Sequence, residues 1–164
     1  MASPNPNADS LYRTMSQTLH KFLHAPLEVS TANDPKLMST TLDSTCTRHI
    51  RPTSLLTKLG APPDFAFDVA TYEKTMEGEL RAFKTVGVEV SDVSVDTAAK
   101  TAAATAIYVN RVNDGREFRL EFSWHVAFTE GGSKIKRVVE WCDGIGFPEF
   151  QKAVAEAGLG EEGK

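Results

Sequence analysis

The sequence predicts an α+β fold in which helices pack on one face of a curved, mostly antiparallel sheet. The firmest observation is a strand pair near the C-terminus. In Glu117–Phe128, residues Phe118, Leu120, Phe122, Trp124, Val126 and Phe128 alternate with Glu117, Arg119, Glu121, Ser123 and His125. Period-2 alternation over so long a run is the pattern of a half-buried strand. A Gly131-Gly132 turn then leads into a second apolar run, Ile135–Asp143. The other observation is order: helical periodicities crowd the first half of the chain, and strand-like runs follow one another in the second. That order lacks the strand–helix alternation of a doubly wound sheet, and no internal repeat is present.

Residues 1–8 are polar and rich in Pro and Asn, the composition of a disordered tail. Asp9 or Ser10 can cap a first helix whose apolar stripe is Leu11, Met15, Leu19, Phe22 and Leu23. Pro26 is expected to stop it, because an interior proline removes a helix hydrogen bond. Asn33 or Asp34 before Pro35 marks a second helix start, with Leu37, Met38 and Leu42 as a short apolar face. Thr45–Arg51 carries several β-branched residues and reads as a strand that Pro52 ends or marks as an edge. Thr57–Phe67, with Gly60, Pro62 and Pro63, reads as a loop. Asp68 then caps an amphipathic helix running to about Phe83 through Val69, Tyr72, Met76 and Leu80. Val86–Val95 and Thr101–Val112 add two strands to the pair already described, with turns near Asp96–Lys100 and at Asn113-Asp114-Gly115. Pro148 opens a terminal helix with Phe150 and Val154 on its inner side, and Gly158–Lys164 is expected to fray. Residues 9–157 are therefore expected to form one domain.

Composition narrows the function. The chain has 164 residues, 41% of them hydrophobic and 24% charged, which is enough to bury a sizeable core. A net charge of -4 gives no electrostatic case for nucleic acid or an anionic membrane. The N-terminal residues lack a signal peptide's basic and apolar regions, so a cytoplasmic protein is expected. In that compartment Cys46 and Cys142 are expected to stay thiols, buried as small apolar residues. No phosphate-binding loop, nucleophile elbow or complete dinucleotide fingerprint occurs, so no cofactor is expected. His20 and His24 have a metal-compatible spacing but no third ligand nearby, so no metal is expected either.

Glu140 and Asp143 are the residues that point to chemistry, because carboxylates are costly in a strand that is otherwise apolar. Glu140 is either an acid–base group, its pKa raised by desolvation, or one half of a structural ion pair with Arg48. Asp143 is either a second carboxylate at a cavity mouth or the acceptor for backbone amides in the following turn. His49 is an acid–base candidate by type, but it is out of phase with Arg48, so only one of them can point inward. His125 falls with Glu121 and Ser123 on the face away from Phe122 and Trp124. Tyr72 and Met76 lie on a helical apolar stripe and serve as core or as cavity wall.

Three stretches carry a family resemblance: Cys46–Leu55, Tyr72–Met76 and Lys134–Asp143. With the element order they resemble the nuclear transport factor 2-like superfamily, also called SnoaL-like. Within it, they are most similar to small fungal isomerases and hydrolases of meroterpenoid and indole-alkaloid biosynthesis. The resemblance implies a cone-shaped α+β barrel whose strongly bent sheet and helices close a cavity. It implies that Arg48, Phe118, Phe122 and Glu140 line that cavity; by residue type and place in the sequence, Trp124, Tyr72, Met76 and His49 are further substrate-binding candidates and Asp143 a further catalytic one. The two strand aromatics are often tyrosines in those enzymes; Phe118 and Phe122 keep the shape and lose two hydroxyl donors. The implied activity is a cofactor-independent isomerisation of a polycyclic apolar substrate, by skeletal rearrangement and proton transfer. Dehydration or lactone hydrolysis in the same cavity, and a non-catalytic module binding a ligand or protein, remain open beside it. A homodimer through the outer sheet face is the implied assembly.

Overall fold

The computed structural model describes residues 6–159. Its elements are α1 (Pro6–Ala32), a 3-10 turn (Pro35–Ser39), β1 (Leu42–Arg51), α2 (Thr53–Lys58), β2 (Ala66–Phe67), α3 (Val69–Glu79), β3 (Phe83–Asp96), β4 (Thr101–Val112), β5 (Glu117–Phe128), β6 (Ile135–Cys142) and α4 (Gly146–Leu159). The six strands form one sheet in the order β2-β1-β6-β5-β4-β3. All pairs are antiparallel except β1 with β6, so the fold is α+β with a mixed sheet. The expected barrel does not close: β2 and β3 remain edges. Register breaks at Thr85/Gly87 and Ser91/Ser94 in β3 act as bulges, which bend a strand and increase its twist.

The alternation in β5 translates directly into burial, with Leu120, Phe122, Trp124, Val126 and Phe128 inside and Arg119, Glu121 and His125 exposed. The inner face packs on α1, where Phe22 meets Trp124 edge-on at 5.2 Å. No helix among the described residues is long and apolar enough to cross a membrane.

Four boundaries differ from the sequence expectation. First, α1 begins at Pro6 and runs through Pro26 to Ala32. An interior proline costs about 3 kcal/mol, yet Ala25 just before it and Val29 beyond it are buried with Met38, Tyr72 and Met76, and burying side chains of this kind offsets such a cost. The helix ends instead at Asn33, in the left-handed region at φ 54°, with the Asp34 N–H donating to the Val29 carbonyl. Second, α3 starts where expected, with Thr71 N–H donating to Asp68 at 2.7 Å, but stops at Glu79, and Phe83 opens β3. Third, the expected loop contains the end of α2, which buries Leu55 and Leu56, and the short strand β2. Fourth, Pro6–Ala8 and Gly158–Leu159 are helical; the rest of both expected tails lies outside the described residues.

Gly132 shows how tightly the last hairpin seats against α1. Its φ is +72°, and a Cβ there would lie 2.7 Å from Met15 Cγ and 3.0 Å from Leu11 Cδ1. Gly132→Ala is therefore expected to cost about 2 kcal/mol, since the left-handed strain and the overpacking each contribute. A urea midpoint equal to that of the parent protein would contradict this.

Candidate functional site

The inner surface of the sheet, with α1, α3 and α4, encloses a cavity of about 330 Å³, within the size range of small-molecule sites. Register explains what lines it. In the parallel β1–β6 pair, Arg48 lies opposite Val138 and Ile50 opposite Glu140, which puts Arg48 and Glu140 on one face, two residues apart. Glu140 also sits opposite Trp124 on β5. The two long side chains meet: Arg48 Nε donates to Glu140 Oε2 at 2.7 Å, and Nη2 reaches the same oxygen at 2.7 Å. Both residues are deeply buried, at 6% and 7% exposure. Cys142 donates its thiol to Glu140 Oε1 at 3.5 Å. The guanidinium also lies over two rings, 3.9 Å from the centroid of Tyr72 and 4.9 Å from that of Trp124, so aromatic quadrupoles add to the stabilisation of its charge. Burial opposes that charge and Glu140 more than offsets it, so the Arg48 pKa is raised.

Two features of this wall went unread in the sequence. Glu79, at the end of α3, also lines the cavity, and no ion-pair partner for it occurs among the described residues. Burial, reinforced by the nearby Glu140 charge and partly opposed by Arg48, pushes its pKa up to about 7. The cavity therefore holds one carboxyl engaged by a guanidinium and a second, Glu79, poised near neutrality. Away from the ion pair, Thr85 and Asn110 face each other across β3 and β4, with Thr85 Oγ1 donating to Asn110 Oδ1 at 2.8 Å. The sequence did hold a signal for both features: Glu79 follows Tyr72 and Met76 at helical spacing, and Asn110 alternates in phase with Tyr108 and Val112.

Of the sequence candidates, Arg48, Glu140, Phe122, Trp124, Tyr72 and Met76 share the cavity wall. The Tyr72 hydroxyl has no protein partner among the described residues, whereas Tyr108 donates to the Leu23 carbonyl at 3.0 Å. Burial raises the pKa of both phenols. Trp124 is 3% exposed, and its indole N–H has no acceptor among the described residues. Three candidates lie elsewhere. His49 pairs with Ala66 and Val139 on the other face of β1, where Thr47 Oγ1 is 3.1 Å away; partial burial, Arg137 and Arg51 lower its pKa. Asp143 Oδ1 accepts from the N–H groups of Ile145 and Gly146 at 2.9 Å each, which anchors the start of α4. Phe118 packs against Phe150, with ring centroids 5.5 Å apart, and is not part of the cavity wall. The cysteines are free and buried, and burial pushes the Cys46 thiol up to about 11. On the outer face, where a second copy is expected to dock, His125 and Glu121 are exposed and Arg119 pairs with Glu89 at 3.0 Å.

No protein-family model matches the chain, and no curated protein resembles it in sequence. Solved structures do. BvnE pinacolase from Penicillium brevicompactum superposes with a TM-score of 0.73 at 15% identity, over 90% of this chain and 99% of that one. PrhC from Penicillium brasilianum gives 0.69 at 15% identity, over 90% and 91% of the two chains. The chain shares its fold with these proteins, in line with the α+β arrangement that the resemblance to the nuclear transport factor 2-like superfamily implies. AusH from Aspergillus nidulans shares this fold at a TM-score of 0.60 and 16% identity, over 87% of this chain and 88% of its own. A shared superfamily fold hosts many chemistries, so function has to be argued from the cavity itself.

Proposed function

We propose that this protein is a cofactor-independent isomerase that rearranges a mostly apolar, polycyclic intermediate of fungal secondary metabolism by proton transfer. One observation carries the reading: the Arg48–Glu140 ion pair and a carboxyl without an ion-pair partner, Glu79, occupy the wall of one hollow otherwise dominated by aromatic and aliphatic side chains. An open cavity with charged groups in its wall favours an enzyme over a non-catalytic module, whose hollow would be filled by interlocked rings. The fold neighbours support the same direction, since BvnE is a pinacolase and PrhC and AusH are likewise fungal proteins of this fold.

In this mechanism Glu79 is the proton carrier. Its protonated form donates to a substrate oxygen, a carbon–carbon bond migrates, and the Glu79 carboxylate takes back a proton from the rearranged product. Atoms balance without an external reagent. Arg48 Nη1 has no protein acceptor among the described residues, so it can orient a substrate oxygen other than the one that Glu79 protonates. Glu140 acts by fixing the guanidinium. The rings of Phe122 and Trp124 exclude water from the cationic intermediate.

The test begins with a strain lacking the gene. The metabolite that accumulates is incubated with purified protein and no added cofactor, and products are separated and weighed by mass spectrometry. A product of unchanged mass and new retention supports isomerisation. Loss or gain of one water replaces it with dehydration or hydrolysis, and no conversion ends the enzymatic reading.

A further inference from the structure

The polar groups of the cavity fall into two separated sets. Glu140 lies opposite Trp124, and Trp124 lies opposite Ala104 on β4. Asn110 is further along the same inward-facing row of β4, about 20 Å of strand from Ala104 at ~3.3 Å per residue. Between them the wall is apolar, with Leu120 and Phe122 on β5. Asn110 and Thr85 are both more than nine-tenths buried. Thr85 is itself fixed: its backbone N–H donates to Ser30 Oγ at 2.8 Å, and its hydroxyl donates to Asn110 Oδ1. With that oxygen occupied, Asn110 presents Nδ2 as the donor end of its amide, and Nδ2 has no protein acceptor among the described residues. Nδ2 is not one of the sealed, unpartnered polar atoms among the described residues, so it opens on the space beside it, which is the cavity.

We infer that Asn110, oriented by Thr85, is a second recognition point of the cavity, binding a carbonyl or ether oxygen at the end of the substrate remote from Arg48 and Glu140. The inference rests on the proposed function and narrows its substrate class: the molecule carries oxygen at both ends of an apolar skeleton. Gln151 on α4 also lines the cavity.

Two rigid tetracyclic probes test this, androst-4-ene-3,17-dione, with a carbonyl at each end, and the matched monoketone androst-4-en-3-one. Binding is read from tryptophan fluorescence in a Trp141→Phe background, which leaves Trp124 in the cavity wall as the reporter. The diketone is expected to bind about five- to tenfold tighter, the worth of one neutral hydrogen bond. Asn110→Leu, close in shape, should abolish the preference. Should that variant not fold, Thr85→Val carries the test, because an amide without its anchor should lose at least half of the preference. Equal affinities in the parent protein, or a preference that survives both substitutions, overturn the second recognition point alone. Failure of both ketones to reach Trp124 overturns the apolar-substrate reading together with it.

Discussion

Replacing Glu140 by Gln is expected to destabilise the fold by about 3–5 kcal/mol, the usual cost of removing one partner from a buried ion pair. Gln keeps the shape of the side chain but not its charge. Arg48 then stays buried among Tyr72 and Trp124 without its counter-ion. The rings do not make up the deficit, since their cation–π contacts, about 2 kcal/mol or more when desolvated, are already made in the parent protein. Because the Glu140 charge helps raise the Glu79 pKa, the same substitution should make Glu79 a stronger acid. The double variant Arg48→Met, Glu140→Leu removes both charges in similar volume and is expected to recover most of the lost stability while being inactive. Urea unfolding of the three proteins, followed by circular dichroism, measures this. A loss below about 1 kcal/mol for Glu140→Gln, the value of an exposed pair, would mean that water reaches the site.

The pair also shows where sequence reasoning runs out. That Arg48 and Glu140 could form an ion pair was legible, but which of Arg48 and His49 faces inward was not. That choice is set by the parallel register of β1 against β6, a pairing between segments some ninety residues apart. The β5 strand and its turns were legible because both depend on local pattern: alternation on one side, and Gly115 and Gly132 at positive φ on the other. The passage of α1 through Pro26 was hidden for the opposite reason, because local propensity argues against it and only the burial of Val29 against α3 and the 3-10 turn overrides it. Of the two readings of Asp143, the acceptor for turn amides is the one observed, and it was legible because its partners lie only two and three residues ahead. Glu79 and Asn110 were missed because stripes were traced through apolar residues alone; a polar residue in phase with an apolar face is itself the signal of a lined cavity.

Glu79 gives the second large expectation, in pH dependence and in rate. Unfolded, this carboxyl releases its proton near the ordinary 4.5; folded, it holds the proton to about 7. Between those values the folded protein binds more protons than the unfolded chain, so Glu79 makes stability fall as pH rises through that window and level off above it. The full effect is about 3 kcal/mol, at 1.36 kcal/mol per pKa unit. Glu79→Gln stays neutral throughout, so it should flatten this slope and be more stable than the parent protein above pH 7. In turnover the direction reverses. Removing the proton carrier should lower kcat about 10²- to 10⁴-fold, and in the parent protein kcat should fall as pH rises through the Glu79 pKa, because the acid form is the one that donates. A structural role for Glu79 predicts neither effect on rate. Urea midpoints from pH 5 to 8 for both proteins decide the first point, and an unchanged slope in Glu79→Gln would show that this carboxyl is ionised and solvated in the folded state. Its position beside Glu140 and Arg48 would then have to be explained without proton transfer.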